Sequence, residues 1–520
     1  MTSIAFPPGV AGNGLPIGGQ NSNTSGLSAT QPTAPFKMLP KDFSDTGEAE
    51  LLCQLHRDEL VHCPSIGYLV YNGAYWDDNQ AKARGIVHSL TSKQLAEAEA
   101  EVARCRQVME ANGAWRTFET STLTRALKEF SAHQRASYDE YACAEEYRKF
   151  ALQKRNSAGI TATLREAQPM VNIDVDALDA DPFALNTPAG TVDLTSGVMR
   201  QHNAKDFITK CTTVAPSDTG KDIWMDALNV FFCGDQALIS YVQEIAGLML
   251  IGKVFVECMI LAVGCGRNGK SSFFNTLAHV MGKYAGTLAA DTLTAGCRRN
   301  IKPELATAKG KRLMIAAELE EGERLNTSVI KTLASTDRIH AEPKYLAPFS
   351  FENSALTVLY TNHLPRVGAI DNGTWRRITV IPFSAVIDDK SDIKNFSDYL
   401  FANAGGAILS WMIEGAVRII AQDYKLSVPQ VVESATKQYR DDNDWLAEFL
   451  ASCCEADPGH EEKAEEVYAS YRNHAARIGE YIRSKQDFAA AVEGAGYVRH
   501  RTSKCMMVRG LRIKQAYRSY

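Results

Sequence analysis

The sequence predicts an α/β protein with a parallel, three-layer core. A mixed α+β domain precedes the core, and a small winged-helix-like domain follows it. Three observations predict this. Short apolar runs alternate with helical segments between about 253 and 385, as in a parallel sheet with crossover helices. A glycine-rich loop joins the first of those runs to a helical segment. At the C-terminal end, three short helical patterns lead into two strand-like pieces.

The bounds agree with a multidomain globular chain. At 520 residues it exceeds what one hydrophobic core usually organises. Hydrophobic content of 45% and charged content of 22% are ordinary for a globular protein. No run of about 18 apolar residues is present, and the stretch 245–251 has only buried-core length. Met1–Gln20 lacks the basic start and long apolar stretch of a signal peptide. The expectation is therefore a cytoplasmic protein with no membrane partner. The 12 cysteines include no CxxC pair, which argues against a disulfide framework. Cys53, His56, His62 and Cys63 fit no common zinc spacing and read as core or surface residues.

The elements follow in order. Residues 1–44 are rich in Gly, Pro, Ser, Thr and Asn and read as disordered. The range 45–252 reads as an α+β domain. Tyr68–Trp76 gives a strand, an Asn-Gly turn and a strand, and Thr91–Ala167 gives several helices inserted into the domain. Asn186–Lys210 returns to strands, with a turn at Asp193–Gly197, and Lys221–Gly252 is helical. The core occupies 253–440. Its apolar strands are Cys258–Val263, Lys311–Ala317 and Ala355–Tyr360, with another after Trp375-Arg376-Arg377. The range 441–520 closes the chain with helices at Asp444–Leu450, Ala464–Arg477 and Lys485–Gly494, then strands around Tyr497–Lys504 and Met506–Ile513. The net charge is −5, yet Tyr471–Tyr520 holds eleven Lys/Arg against three acids, a local charge of +8. Such a stretch suits contact with nucleic-acid phosphates, and Arg499, Arg501 and Lys504 are the candidates.

Gly264-Cys265-Gly266-Arg267-Asn268-Gly269-Lys270-Ser271 matches the pattern GxxxxGK[ST] in full, and Ser272 follows it. Glycines let backbone N–H groups turn inward around phosphates. The following helix presents its N-terminal dipole to negative charge. Lys270 suits the β- and γ-phosphates of ATP, and the Ser271 hydroxyl suits Mg²⁺. Downstream, the strand Lys311–Ala317 ends in Glu318, with Glu320 two residues on. An acid at such a strand end can hold Mg²⁺ and polarise water; Glu318 is the first choice and Glu320 the second. Asn362, just past the strand Ala355–Tyr360, suits the γ-phosphate or the attacking water. Arg376 and Arg377 are candidates for an arginine that reaches ATP held by a neighbouring subunit, a role worth on the order of 10³–10⁵ in rate.

With these elements in order, the chain resembles the superfamily-3 helicases, and most closely the helicase part of phage, plasmid and poxvirus primase-helicases. The resemblance runs from about Asp45 to the end. It includes GCGRNGKSS, GKRLMIAAELEEG, the stretch Lys331 to Asp337, PFSFE, TNHLP and WRRITVIPF. It implies an AAA+-like P-loop ATPase core and a replicative DNA helicase. It further implies a ring, normally a hexamer, binding ATP and Mg²⁺ between subunits and moving 3′→5′ on single-stranded DNA to open forks. It also implies a channel hairpin, here Ile339–Phe351, with Lys344 and Tyr345 as DNA contacts. The chain departs from the pattern at Glu342, where relatives are commonly basic, and at Leu346. Residues 1–250 show no zinc-ligand set and no convincing carboxylate pair for polymerisation, so a primase or loader is expected on another chain. The competing reading is a ring ATPase that remodels or packages nucleic acid or protein without unwinding.

Overall fold

The computed structural model describes residues 36–297, 302–342, 348–367, 372–387, 394–478 and 481–518. The chain divides into two compact units, one of residues 1–43 with 89–159 and one of residues 44–88 with 160–520. The helical insertion is thus a unit in its own right, within the range 45–252 that the sequence suggests is one domain.

The first unit is helical. Ala132–Lys154 starts at a capping box, in which the Ser131 hydroxyl accepts from Gln134 N and Gln134 accepts from Ser131 N. Trp115, Phe118, Tyr138 and Tyr141 form an edge-to-face and tilted aromatic cluster. Most of the segment read as disordered, 1–35, lies outside the described residues. Residues 36–43 correct that reading, because they are ordered. Phe36 packs edge-on against Tyr147 at 5.0 Å, Phe43 stacks on Phe150 at 4.8 Å, and Tyr147 Oη donates to Met38 O. Half-buried Phe36 and Leu39, with the Phe43 ring stacked at the edge, supply the apolar contact that the segment's composition hides.

The second unit opens with an antiparallel sheet of Leu60–Cys63, Gly67–Tyr71 and Trp76–Asp77. Tyr71 pairs with Trp76, so the connection is four residues long rather than an Asn-Gly dipeptide. The Asn72 carboxamide accepts from Ala74 N and Tyr75 N and shapes it. A second antiparallel sheet holds Ala184–Thr187, Gly190–Asp193 and Val198–Arg200. Gly197 N closes the intervening turn on Asp193 O.

The core is a five-stranded parallel sheet of β1 (Met259–Val263), β2 (Ala285–Leu288), β3 (Leu313–Ala317), β4 (Leu356–Thr361) and β5 (Ile378–Pro382). Its spatial order is β5-β1-β4-β3-β2. Four of these strands are nearly continuous apolar runs. The exception is β2, whose Ala-Gly-Thr-Leu is mostly half-exposed and carries no run to read. Helix α1 (Lys270–Met281) follows β1. Helices Lys221–Phe231, Gln236–Leu248 and Phe396–Ala421 join α1 in the main core. Phe396–Ala421 is long and apolar enough to cross a membrane by length and composition, but 61% of its most apolar window is buried in this packing. It crosses Gln236–Leu248 so closely that a Cβ on Gly247 would lie 2.3 Å from Ala416 N, and one on Gly415 2.2 Å from Gln243 O.

The C-terminal region packs helices Trp445–Cys453, Ala464–Arg477 and Lys485–Gly494 on a three-stranded antiparallel sheet. Tyr471 stacks on Phe488 at 4.8 Å in the centre, and the Arg483 guanidinium lies 4.3 Å over Trp445. Met506–Ile513 is the middle strand, between Val498–Arg501 and Cys454–Lys463. The strand Cys454–Lys463 is absent from the sequence reading. It is charged, contains Pro458-Gly459, and shifts register between Asp457 and Glu461, so no period-two pattern marks it.

Candidate functional site

Strand β1 is the point where the sheet order reverses, with β4 on one side and β5 on the other. The crevice beyond the C-terminal ends of such strands is the usual ligand position in an open parallel sheet. Gly264–Gly269 occupies it. Gly266 (φ +91°) and Gly269 (φ +83°, the cap of α1) adopt conformations that favour glycine. Two glycines are also required by packing. A Cβ on Gly264 would meet Phe383 O at 2.4 Å, and one on Gly269 would meet the Phe231 ring at 2.1 Å.

Lys270 is the hub. Its ammonium donates to Gly264 O at 2.7 Å, to Asn268 Oδ1 at 3.0 Å and to Asn362 Oδ1 at 3.1 Å. Burial pushes its pKa down, while Cys265 and Glu318 pull it up. The pairing of β4 with β1 brings Asn362 here, 92 positions away in sequence. Asn268 is 2% exposed, and its Nδ2 is buried without a partner. An unmet buried donor costs about 1–3 kcal/mol, so an acceptor entering the loop would be favoured.

Glu318 follows β3 directly. Its φ of +55° is a left-handed conformation, and its N–H donates to Tyr360 O at the end of β4. Its carboxylate is exposed and close enough to act on the Lys270 charge. Glu320 is exposed too, but among the described residues no hydrogen bond or ion pair links its carboxylate to the loop. Ser271 is exposed on the first turn of α1, beside half-buried Ser272, whose carbonyl accepts from Thr276. Cys265 and Arg267 are exposed on the loop, and Arg267 O accepts from Ile387 N. Two oxygen donors, Ser271 and Glu318, suit a magnesium ion that keeps most of its ligands as water and phosphate. An ion so held would neutralise phosphate charge. The chain's own part would be to turn Lys270 and the loop's N–H groups toward that charge.

Arg376 and Arg377 are not brought to the loop of the same chain. Arg377 O accepts from Met259 N at the start of β1, and the loop follows the other end of that strand, about 16 Å away at 3.3 Å per residue. Both guanidiniums pair with Glu257, at 3.0 Å from Arg376 and 2.7 Å from Arg377. The Arg376 side chain is 64% exposed and that of Arg377 only 12%.

The other candidates separate. Lys344, Tyr345 and Leu346 lie outside the described residues. The hairpin arms Arg338–Ala341 and Phe349–Glu352 are antiparallel, with buried Ile339 opposite buried Phe351, and Glu342 lies 3.3 Å from His340. Arg499 is half-buried and paired with Glu493 at 2.9 Å. Arg501 and Lys504 are exposed on the turn closed by Thr502 N and Cys505 O. Sequence reasoning missed the Asn362–Lys270 bond, the Glu257 clamp and Phe231 beneath Gly269. Each joins segments that no local pattern connects.

Comparisons with known proteins bear on this arrangement. Residues 49–233 match the family described as D5 N terminal like, and residues 262–377 match a family of unknown function (DUF5906). The chain is 28% identical over 212 residues to a candidate helicase, L207/L206, of Acanthamoeba polyphaga mimivirus, covering 40% of this chain and 22% of that protein. It is 24% identical over 470 residues to a candidate helicase, 184R, of Invertebrate iridescent virus 6, covering 80% of this chain and 48% of that protein. A candidate primase, C962R, of African swine fever virus is 26% identical over 40% of this chain and 23% of its own length. The chain therefore spans between about a fifth and a half of the length of these relatives. Among solved structures, the C-terminal region of NrS-1 is similar at TM-score 0.36 and 14% identity, over 46% of this chain and 55% of that one. The D5-type N-terminal match precedes the sheet that carries the loop, and together with the viral relatives it supports a likeness to primase-helicases of the D5 type.

Proposed function

We propose that the chain is an ATP-dependent DNA helicase of superfamily 3, serving replication of a phage, plasmid or virus from the host cytoplasm. The observation that carries this reading is the Lys270 hub. An ammonium held by Gly264 O, Asn268 Oδ1 and Asn362 Oδ1 sits in a glycine loop at the switch point of a parallel sheet. Gly264–Ser272 would cradle the phosphates of ATP, and Lys270 would exchange its carbonyl partner for phosphate oxygens. Ser271 and Glu318 would hold Mg²⁺, with Glu318 preferred over Glu320 because only Glu318 is anchored to β4 and felt by Lys270. Asn362 would orient water or the γ-phosphate.

A ring, most simply a hexamer, supplies the missing arginine. Arg376 is our choice to reach ATP on the neighbouring subunit, since it is the exposed member of the pair. Arg377 would position it through their shared partner Glu257. The core is read as an AAA+-like P-loop ATPase and the C-terminal region as a winged helix, with Arg501 and Lys504 offered to single-stranded and forked DNA. A primase or loader on another chain would act alongside it.

The first test is ATP hydrolysis with Mg²⁺ by wild type and by Lys270→Ala. The reading predicts loss of about 10³-fold or more in the variant. Turnover retained by a folded Lys270→Ala protein would sink the site assignment.

A further inference from the structure

A cavity of about 440 Å³ lies at the opposite end of the sheet from the loop. Lys283 and Lys311 precede β2 and β3, which run parallel to β1, so their end of the sheet is the one away from Gly264–Gly269. Lys210 and Lys309 complete a set of four lysines on the cavity wall, against two acids, Asp78 and Asp179.

The lysines are poorly neutralised. Lys311 Nζ donates to two carbonyls, Lys283 O at 2.7 Å and Ala285 O at 2.8 Å. Lys309 Nζ donates to Leu178 O, and Lys210 Nζ to the Thr209 hydroxyl. Among the described residues none of these three has a carboxylate within ion-pair distance; only Lys283 has one, Asp77 at 3.2 Å. Asp179 is already engaged by the N–H and hydroxyl of Thr209. Burial, with Lys210 and Lys283 nearby, pushes the Lys311 ammonium down to about 8, and burial lowers Lys309 as well. Four lysines gathered in a half-buried space with fewer carboxylates on its wall are unfavourable, and an anion would relieve them.

The rest of the wall narrows the choice of anion. Ile66, Leu69 and Phe349 give it an apolar side. The volume falls within the range of roughly 300–1,000 Å³ usual for small-ligand sites. An inorganic anion would satisfy the ammonium groups and leave that side wet. A nucleotide offers both an aromatic base and phosphate. A neighbouring cavity of about 270 Å³ shares Leu178, Asp179 and Lys309, but its Lys253 and Arg338 are matched by Asp176 and Glu352, so the excess of lysines is confined to the first.

We infer that this cavity binds a phosphate-bearing nucleotide unit, free or as one residue of a single strand, at a site separate from the Gly264–Ser271 loop. The phosphates meet Lys210, Lys309 and Lys311, and the base lies against Ile66, Leu69 and Phe349. The inference does not depend on ATP hydrolysis at the loop.

The test uses the full chain and two probes, thymidine triphosphate and an oligothymidylate of eight residues. The Lys270→Ala protein is compared with the same protein carrying Lys210→Gln and Lys309→Gln in addition, with folding checked by thermal unfolding. The expected result is a loss of about tenfold or more in affinity for at least one probe. Loss for the triphosphate alone assigns a free nucleotide, and loss for the oligonucleotide alone assigns a strand. Unchanged affinity for both in a folded variant overturns the inference. If the variant does not fold, lysine acylation of wild type read by mass spectrometry decides. Protection of Lys210, Lys309 and Lys311 by a probe supports the site, and equal labelling with and without both probes overturns it.

Discussion

The glycine loop and the C-terminal domain both carry positive charge suited to phosphate, but they hold it differently. At the loop one ammonium, Lys270, rests on uncharged acceptors, namely a carbonyl and two carboxamides. An incoming phosphate would displace neutral partners there. In the C-terminal domain most of the charge is already paired. Arg512 meets Asp457 at 2.9 Å, Arg509 meets Glu461 at 3.4 Å, Arg499 meets Glu493, and Arg518 meets Glu462. Over 445–520 the count is twelve Lys/Arg against ten acids, a balance of only +2. The +8 of Tyr471–Tyr520 arises because that window stops short of the acidic strand Cys454–Lys463, which folds back alongside Met506–Ile513. A charge count along the chain measures what a segment carries. The strand pairing decides what remains for a ligand.

Three experiments sharpen that comparison, beginning with the largest expected effect. Arg376→Ala should lower ATP turnover by about 10³-fold while leaving nucleotide affinity nearly unchanged. Mixing it with Lys270→Ala subunits should restore part of the rate. No rescue in mixed rings of normal size would contradict action across an interface. Arg377→Ala should lose less, since Arg377 is read as a positioning group; equal losses with equal rescue would remove the distinction drawn from exposure.

The second concerns Cys265, an exposed thiol on the loop, set against Cys258, which is buried in front of β1 with its thiol pushed up to about 12. A maleimide at pH 7.5 should label Cys265 and spare Cys258. Labelling should block ATP hydrolysis, ATP should protect, and Cys265→Ser should escape the block. Full activity after complete labelling of Cys265 would mean that the loop does not enclose the nucleotide.

The smallest effect belongs to the C-terminal domain. Arg501→Ala with Lys504→Ala should flatten the salt dependence of single-strand binding by about 1.4 in log–log slope, roughly 0.7 for each lost phosphate contact. Arg499→Ala, which removes a paired group, should change it little. Equal slopes for all three proteins would place the DNA elsewhere.

Much of the core was legible because parallel strands buried on both faces read as apolar runs. Met259–Val263, Leu313–Ala317 and Leu356–Thr361 stand out in the sequence without help. The glycine loop was legible because its pattern is contiguous. The remainder required tertiary pairing. The edge strand Ala285–Leu288 has no apolar run, and Cys454–Lys463 is bulged and charged. Order at residues 36–43 depends on three apolar side chains meeting Tyr147 and Phe150. The partner of Arg376 and Arg377 is Glu257, about 120 positions earlier in the chain. The lysine cavity draws its wall from six separate segments that no local pattern connects.

The central claim is tested most directly by strand separation on a forked DNA duplex, with ATP and Mg²⁺, comparing wild type with Lys270→Ala. The account predicts separation by wild type only, with no separation when ATP is omitted. ATP hydrolysis without strand separation by wild type, on forks that it binds, would contradict the helicase reading and favour a ring ATPase that remodels or packages instead.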